Sequence, residues 1–338
     1  MFDGHGDDAY RYGGMVKHNF SSNIFQGFDH SELCSHLGKC AAAISNYPSP
    51  EPTETEAIIA HRHDVADDAV MLTAGATDAI YLLAQHTACR HSIILSPTFS
   101  EYEDACSAFN HSITFATSID DLHHSVGDTV WICNPNNPTG KILAAEDILK
   151  AVDTHKDALW IIDASYAEYS SADAITFAQA ATRQNLLLIK SMTKTFAVPG
   201  LRIGYIVGNP AKLAALRKLR RPWAVGGLER EAVKWLSEHQ YMYRVDATAL
   251  NGEIRRIAAA FRRLGIETLD SATNFMLCRL PGERTAGNLK EWLVKKHGIL
   301  IRDASNFQTL SPQHFRVAAQ TPDQNDLLIN SLEEWLRG

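Results

Sequence analysis

Between residues 69 and 207 one pattern repeats: a short apolar, β-rich run without polar alternation, then a stretch of helical character. The runs are Val70-Met71-Leu72, Ile93-Ile94-Leu95, Ile113-Thr114-Phe115, Thr129-Val130-Trp131-Ile132, Leu159-Trp160-Ile161-Ile162, Leu186 to Ile189, and Ile203 to Val207. A strand with one face in water alternates apolar and polar residues. A strand that is apolar throughout needs cover on both faces, which intervening helices supply. The pattern predicts an α/β fold whose large domain is a mainly parallel sheet flanked by helices. Most runs end in polar or glycine-rich residues: Thr73-Ala74-Gly75, Ser96-Pro97, Asn134-Pro135, Asp163 and Ser191. Ligands bind at the carboxyl edge of such sheets, so chemistry is expected there.

Outside this block the pattern changes. Residues 31–46 place Leu33, Leu37, Ala41 and Ile44 on one helical stripe that closes at Asn46-Tyr47-Pro48. Beyond residue 230 helical patterns dominate. One carries Leu289, Trp292 and Leu293 to Gly298, before a predicted strand Ile299-Leu300-Ile301; the last starts at Thr321-Pro322 and carries Leu328, Leu332 and Trp335. The expected division is an N-terminal segment, 1–46, packing on or near a small α+β domain, 230–338, with the large domain at 47–229. With 338 residues, two domains are the ordinary outcome.

Composition excludes several classes. Thirty-two Lys and Arg against 39 Asp and Glu give a net charge of −7, which offers no bulk attraction to nucleic acid or anionic membrane. The first residues are acidic where a signal peptide is basic, and no apolar run reaches membrane-spanning length, so a cytoplasmic protein is predicted. No repeat or low-complexity tract is visible. The six cysteines (34, 40, 89, 106, 133 and 278) match no paired zinc or redox spacing; most are expected to be reduced core thiols. His61 and His63, two apart on a helix, point to different faces and read as surface residues, so no metal is expected at the site. Two glycosylation patterns, at Asn19 and Asn110, have no meaning without secretion.

Four segments at strand ends carry possible chemistry. In Ser191-Met192-Thr193-Lys194, with Arg202 eight residues on, a lysine stands among hydroxyls beside a second cation. A lysine desolvated there has a depressed pKa and condenses with an aldehyde. Asp163-Ala164-Ser165-Tyr166 follows a strand, where an aspartate alone would be a helix cap. Cys133-Asn134-Pro135-Asn136-Asn137-Pro138-Thr139-Gly140 alone would be a turn. Thr73-Ala74-Gly75-Ala76-Thr77-Asp78 opens a helix whose free N–H groups suit a phosphate, and it is neither a GxGxxG nor a P-loop sequence.

Taken together and in this order, Asn137-Pro138-Thr139-Gly140, Asp163-x-x-Tyr166 and Ser191-x-x-Lys194 with Arg202 resemble the fold-type I enzymes that use pyridoxal 5'-phosphate (PLP), specifically aminotransferase class I/II. The resemblance covers essentially the whole chain. It implies that Lys194 carries the cofactor as a Schiff base and moves the catalytic proton. Asp163 would pair with the protonated pyridine nitrogen, Asn137 and Tyr166 would bond the ring 3-oxygen, and Tyr102 would stack on the ring. The cofactor phosphate would lie among Ser191, Thr193, Arg202 and the amides of Ala76 and Thr77. Tyr47, in Tyr47-Pro48-Ser49-Pro50, would reach the phosphate of the partner subunit, which implies a homodimer. Arg316 would bind the substrate carboxylate, with Asn137 beside it.

Two branches of the family are most similar, the histidinol-phosphate aminotransferases and the L-threonine-O-3-phosphate decarboxylases of cobalamin synthesis. His5-Gly6, residues 19–24, and Leu300-Ile301-Arg302-Asp303-Ala304-Ser305-Asn306-Phe307 leading to Phe315-Arg316-Val317-Ala318 look more like the decarboxylases. The chain departs from that pattern at Asp7 and Thr309, where glycines are expected, and at Gln320, where an arginine is common. Arg302 and Arg11 remain as candidate ligands for an anionic substrate side chain. Decarboxylation of an amino acid phosphate ester is the leading expectation and amino transfer the alternative. A PLP-binding regulator is disfavoured: the 46 residues before Tyr47 are too few for a DNA-binding domain and linker.

Overall fold

The computed structural model describes residues 7–121 and 128–338. His5 and Gly6, which contribute to the resemblance, lie outside them. The chain opens with β1 (His18–Asn19) and α1 (Ser31–Lys39), followed by α2 (Thr53–Arg62). The large sheet and its helices then run β2 (Val70–Thr73), α3 (Ala76–His86), β3 (His91–Leu95), α4 (Glu101–Ala108), β4 (Ser112–Ala116), β5 (Thr129–Cys133), α5 (Ala145–Thr154), β6 (Leu159–Asp163), α6 (Phe177–Ala181), β7 (Leu186–Ser191), α7 (Met192–Thr195) and β8 (Gly204–Gly208). The seven strands lie in the order β2-β8-β7-β6-β5-β3-β4. Neighbours from β7 through β4 pair in parallel, whereas β8 is antiparallel to both β7 and β2.

The unbroken apolar runs are explained by what covers them. β2, β5, β6, β7 and β8 are buried along their whole lengths, and their side chains divide between two cores, one on each face of the sheet. Along β6, Trp160 and Ile162 enter one core while Leu159 and Ile161 enter the other. Edge strand β4 is the exception, with Phe115 40% exposed.

After α8 (Pro210–Arg217) and α9 (Gly227–Glu238), α10 (Ala247–Arg263) leads into β9 (Glu267–Thr268), β10 (Phe275–Arg279), α11 (Ala286–His297), β11 (Ile299–Leu300), β12 (Arg302–Asp303), β13 (His314–Ala318) and α12 (Pro322–Arg337). Four strands form a second, antiparallel sheet in the order β12-β13-β10-β9. Its core takes Leu289, Leu293, Leu328 and Leu332 from the last two helices and Phe20 from the N-terminal segment. β1 pairs with β11, and the Phe20 carbonyl accepts from Ala318 N at 2.9 Å, so residues 18–20 are stitched to this smaller unit. The last helix starts as its sequence predicts, with Thr321 and Gln324 closing a capping box around Pro322.

Three expectations need correction. The helix predicted over 31–46 ends at Lys39, gives way to a 3-10 turn at Ala41–Ser45, and leaves Ile44 75% exposed. Apolar character at helical spacing could not reveal that the described residues leave the second half of the stripe exposed. Of the cysteines, only 106, 133 and 278 are buried; Cys34 and Cys89 are exposed and Cys40 is half-buried. His63 is no simple surface residue either, since its ring stacks on Phe177 with centroids 3.8 Å apart; His61 is exposed and pairs with Asp67. Among the described residues no helix is long and apolar enough to cross a membrane.

Candidate active site

At the carboxyl edge of the large sheet, facing the smaller one, lies a cavity of about 260 Å³. Lys194, Asp163, Tyr166, Asn137, Tyr102, Ser191, Thr193, Arg202, Ala76, Thr77, Arg302 and Arg316 all line it. Tyr47 and Arg11 do not. Tyr47 is 86% exposed, with its ring 5.4 Å from that of Trp223, and Arg11 borders a separate groove with Tyr12 and Glu291.

One end of the cavity is built for a phosphate. Gly75, at φ +91°, caps α3 and turns its first N–H groups outward. A Cβ at Gly75 would meet Arg202 Nη2 at 2.6 Å, and one at Gly204 would meet Ala76 N at 2.5 Å, so the turn, the guanidinium and the start of β8 close on one another. Arg202 itself holds a left-handed φ of +49°. A helix N-terminus, a guanidinium and the hydroxyls of Ser191 and Thr193 form a donor set for a dianion.

Asp163 stands at the end of β6, 5% exposed. Its Oδ2 accepts from the Tyr102 hydroxyl at 2.8 Å and its Oδ1 from Ser165 N at 3.0 Å. Burial raises its pKa, and the bonds from Ser165 and Tyr102 and the charge of Lys190 oppose that rise. Such a carboxylate favours a cationic N–H donor over water. Lys194, on α7, donates its Nζ to the Ser22 carbonyl at 2.6 Å. Burial, with Arg316 nearby, brings its amine down from the ordinary value to about 7. An ordinary lysine has roughly one neutral amine in a few thousand at pH 7; the downward shift makes the neutral, nucleophilic form of Lys194 far more abundant there.

The loop after β5 shows why its glycine is needed. Gly140 has φ +69°, and a Cβ there would lie 2.0 Å from Ser271 Oγ. This loop presents Asn137, whose Oδ1 accepts from Arg316 Nη1; Arg316 Nη2 donates to the Ser21 carbonyl. Arg316 is 4% exposed, its Nε has no partner among the described residues, and burial pulls its pKa down to about 10. A buried guanidinium held by neutral acceptors is poised for an anion. Arg302, also buried, donates to Asn306 Oδ1 at 2.9 Å and packs over Phe307.

Some placements were not legible from sequence. Tyr102 has its hydroxyl on Asp163 and its ring stacked near Trp131, while Phe99 lines the same cavity edge-on to it. Asp7, Ser21, Ser22, Cys133, Ser165 and Phe307 also line the cavity. The Ser-Ser-Asn stretch at 21–23 carried a signal in its resemblance alone. Gln320 faces away: it accepts from Gln26 N and donates to the carbonyls of Asn19 and Ile24, tying down the N-terminal segment.

A lysine and a buried aspartate at neighbouring strand ends, beside a helix-capped anion cradle, define an enzyme of the PLP-dependent transferase fold. The chain belongs to the class I and II aminotransferases, whose family model matches residues 17–332, and like them it is a PLP-dependent enzyme. The L-threonine-O-3-phosphate decarboxylase structure from Porphyromonas gingivalis is 34% identical, spans 95% of this chain and 100% of its own, and superposes with a TM-score of 0.91. Threonine-phosphate decarboxylase of Salmonella typhimurium is 26% identical over 311 residues, 87% of this chain and 84% of its own. Histidinol-phosphate aminotransferase 2 of Nitrosospira multiformis is 26% identical over 313 residues, 88% of this chain and 78% of its own.

Proposed function

We propose that this chain is a cytoplasmic, homodimeric PLP-dependent lyase that removes the α-carboxylate of an amino acid phosphate ester of the L-threonine-O-3-phosphate type. The observation that carries this reading is the full-length similarity to the Porphyromonas gingivalis decarboxylase. Two buried arginines, Arg316 and Arg302, in a cavity already provided with Arg202, support it. Residues 47–229 form the cofactor-binding domain, 230–338 the small domain, and 1–46 the segment packed on the latter. Amino transfer on histidinol phosphate is the second reading, motivated by the similar identity to the Nitrosospira enzyme.

In this reading Ser191, Thr193, Arg202 and the Ala76 and Thr77 amides hold the cofactor phosphate, Asp163 keeps a proton on the pyridine nitrogen, and Asn137 and Tyr166 donate to the 3-oxygen. Tyr102 packs against the ring with Phe99 beside it, and Tyr47 reaches the partner subunit's phosphate site. PLP, when bound, supplies an electron sink for the pair left at Cα when a bond there breaks. Arg316 and Asn137 anchor the substrate carboxylate and Arg302 its distal anion. These anchors fix which bond at Cα is aligned for cleavage. Lys194, with an amine near neutrality, delivers the proton that replaces the departing CO₂.

The test is to mix the purified PLP form with L-threonine O-3-phosphate, without a keto acid, and follow CO₂ and the cofactor spectrum together. Sustained CO₂ release with recovery of the starting spectrum is expected. Conversion to the pyridoxamine form without CO₂ would establish the transaminase instead.

A further inference from the structure

Away from this cavity, where the first helix faces α9, three side chains of different chemistry converge. His36 and Cys40 lie four residues apart on α1, and Cys40 N still bonds the His36 carbonyl at 3.1 Å, so the helical geometry persists through Cys40 and both side chains share one face. Cys40 Sγ lies 3.6 Å from His36 Nε2. Glu231, on α9, faces them, and one ligand atom from each of the three residues lies within 4.8 Å of the others. Among the described residues this is the only group of three or more His, Cys, Asp or Glu side chains so arranged.

The spacing can be compared with what a cation requires. With zinc–nitrogen bonds of about 2.0 Å and zinc–sulfur bonds of about 2.3 Å at tetrahedral angles, the nitrogen–sulfur edge is about 3.5 Å. The observed 3.6 Å therefore already matches one edge of the tetrahedron. The carboxylate edges, up to 4.8 Å as they stand, need to close by about 1.5 Å at most, within the reach of a flexible glutamate. Lys234 holds Glu231 Oε1 at 2.9 Å, but both partners are partly exposed, and such a pair is too weak to exclude a divalent cation. All three ligands are half-buried, which leaves a path for entry.

We propose that His36, Cys40 and Glu231 form a site for a zinc-class divalent cation that fastens α1 to α9. One sulfur, one imidazole nitrogen and one carboxylate oxygen suit zinc or cobalt over magnesium or calcium. On binding, the Cys40 thiol gives its proton to solvent and coordinates as thiolate, with no change in oxidation state. The fourth position is left for water. The site is independent of the proposed reaction: none of its ligands lines the catalytic cavity. α1 links it toward that cavity: His30 Nε2, at the helix start, is 2.9 Å from the Phe196 carbonyl, two residues past Lys194.

The experiment is a Co²⁺ titration of the metal-stripped, full-length holoenzyme, followed by Zn²⁺ competition. One equivalent of cobalt is expected to give the intense d–d bands of a tetrahedral thiolate site, at longer wavelength than the cofactor absorbs, and zinc to abolish them. Cys40→Ser and His36→Ala are expected to weaken binding by at least about tenfold and to remove the rise in Tm that zinc gives the unsubstituted protein. Cys34→Ser, which changes an exposed thiol on the same helix, should leave both signals intact. Only the weak spectrum of hydrated cobalt, or bands that survive Cys40→Ser or vanish with Cys34→Ser, would overturn the proposal.

Discussion

Arg316, on the antiparallel sheet, and Asn137, in a loop of the large sheet, are joined side chain to side chain across the catalytic cavity. The bond uses the Asn137 oxygen, so the amide nitrogen is the group left to donate toward a ligand. It also holds the guanidinium at its buried position without a carboxylate partner among the described residues.

Arg316→Gln is expected to raise KM for an anionic amino acid substrate by about 10²-fold, the effect of losing charged hydrogen bonds of roughly 1.5–3 kcal/mol. PLP absorbance should persist, because the proposed phosphate cradle around Arg202 is at the opposite end of the cavity. Steady-state kinetics with the spectrum as control checks this, and an unchanged KM would remove Arg316 from the carboxylate site.

The depressed Lys194 amine gives a pH signature. A neutral amine is required to capture PLP, and the fraction neutral rises with pH through the folded-state value of about 7. The rate of PLP capture by the apoenzyme should therefore rise with a midpoint near 7, and a midpoint near 10 would contradict the burial of this amine. The sign for stability agrees: the unfolded chain holds this proton up to its ordinary value, so the group's contribution to folding improves from about pH 7 upward.

How much was readable in the sequence follows from the range of each signal. Strands buried on both faces advertise themselves locally, so β2, β5, β6, β7 and β8 were legible, as was the Thr321 capping box. Of the twelve predicted residues that meet in one cavity, Asp163 and Ser191 end strands and Thr193 and Lys194 follow directly, and there short-range pattern and family resemblance coincide. What depended on long-range packing was not legible. Nothing local to Tyr102 says that its hydroxyl meets Asp163, 61 residues away, or local to Gln320 that it turns to residues 19–26. Ile44 sits at helical spacing, yet the described residues leave it exposed.

Asp163→Asn should still bind PLP but lose turnover by a factor of about 10² or more, because an amide cannot keep the ring nitrogen protonated. Tyr102→Phe removes one of the donors that hold this carboxylate and should lower PLP affinity while preserving the fold. Cofactor titration with single-turnover kinetics separates the two; near-normal turnover in Asp163→Asn would contradict the assigned role.

Thr309 adopts φ +66°, a conformation costly for a β-branched residue, at the position where the resemblance leads one to expect glycine. Thr309→Gly should therefore stabilise the protein by about 0.5–1 kcal/mol, relief of strain exceeding the added flexibility of the unfolded chain. Urea unfolding measures it, and a lower midpoint would show that the threonine side chain is compensated elsewhere.

The central claim is that Lys194 carries the cofactor in this cavity. Borohydride reduction of the holoenzyme, followed by proteolysis and mass mapping, tests it directly. The account predicts one pyridoxyl group per chain on Lys194. Its appearance on Lys190, which lies four residues before Lys194 and is paired with Glu168, or on any other lysine would contradict the account.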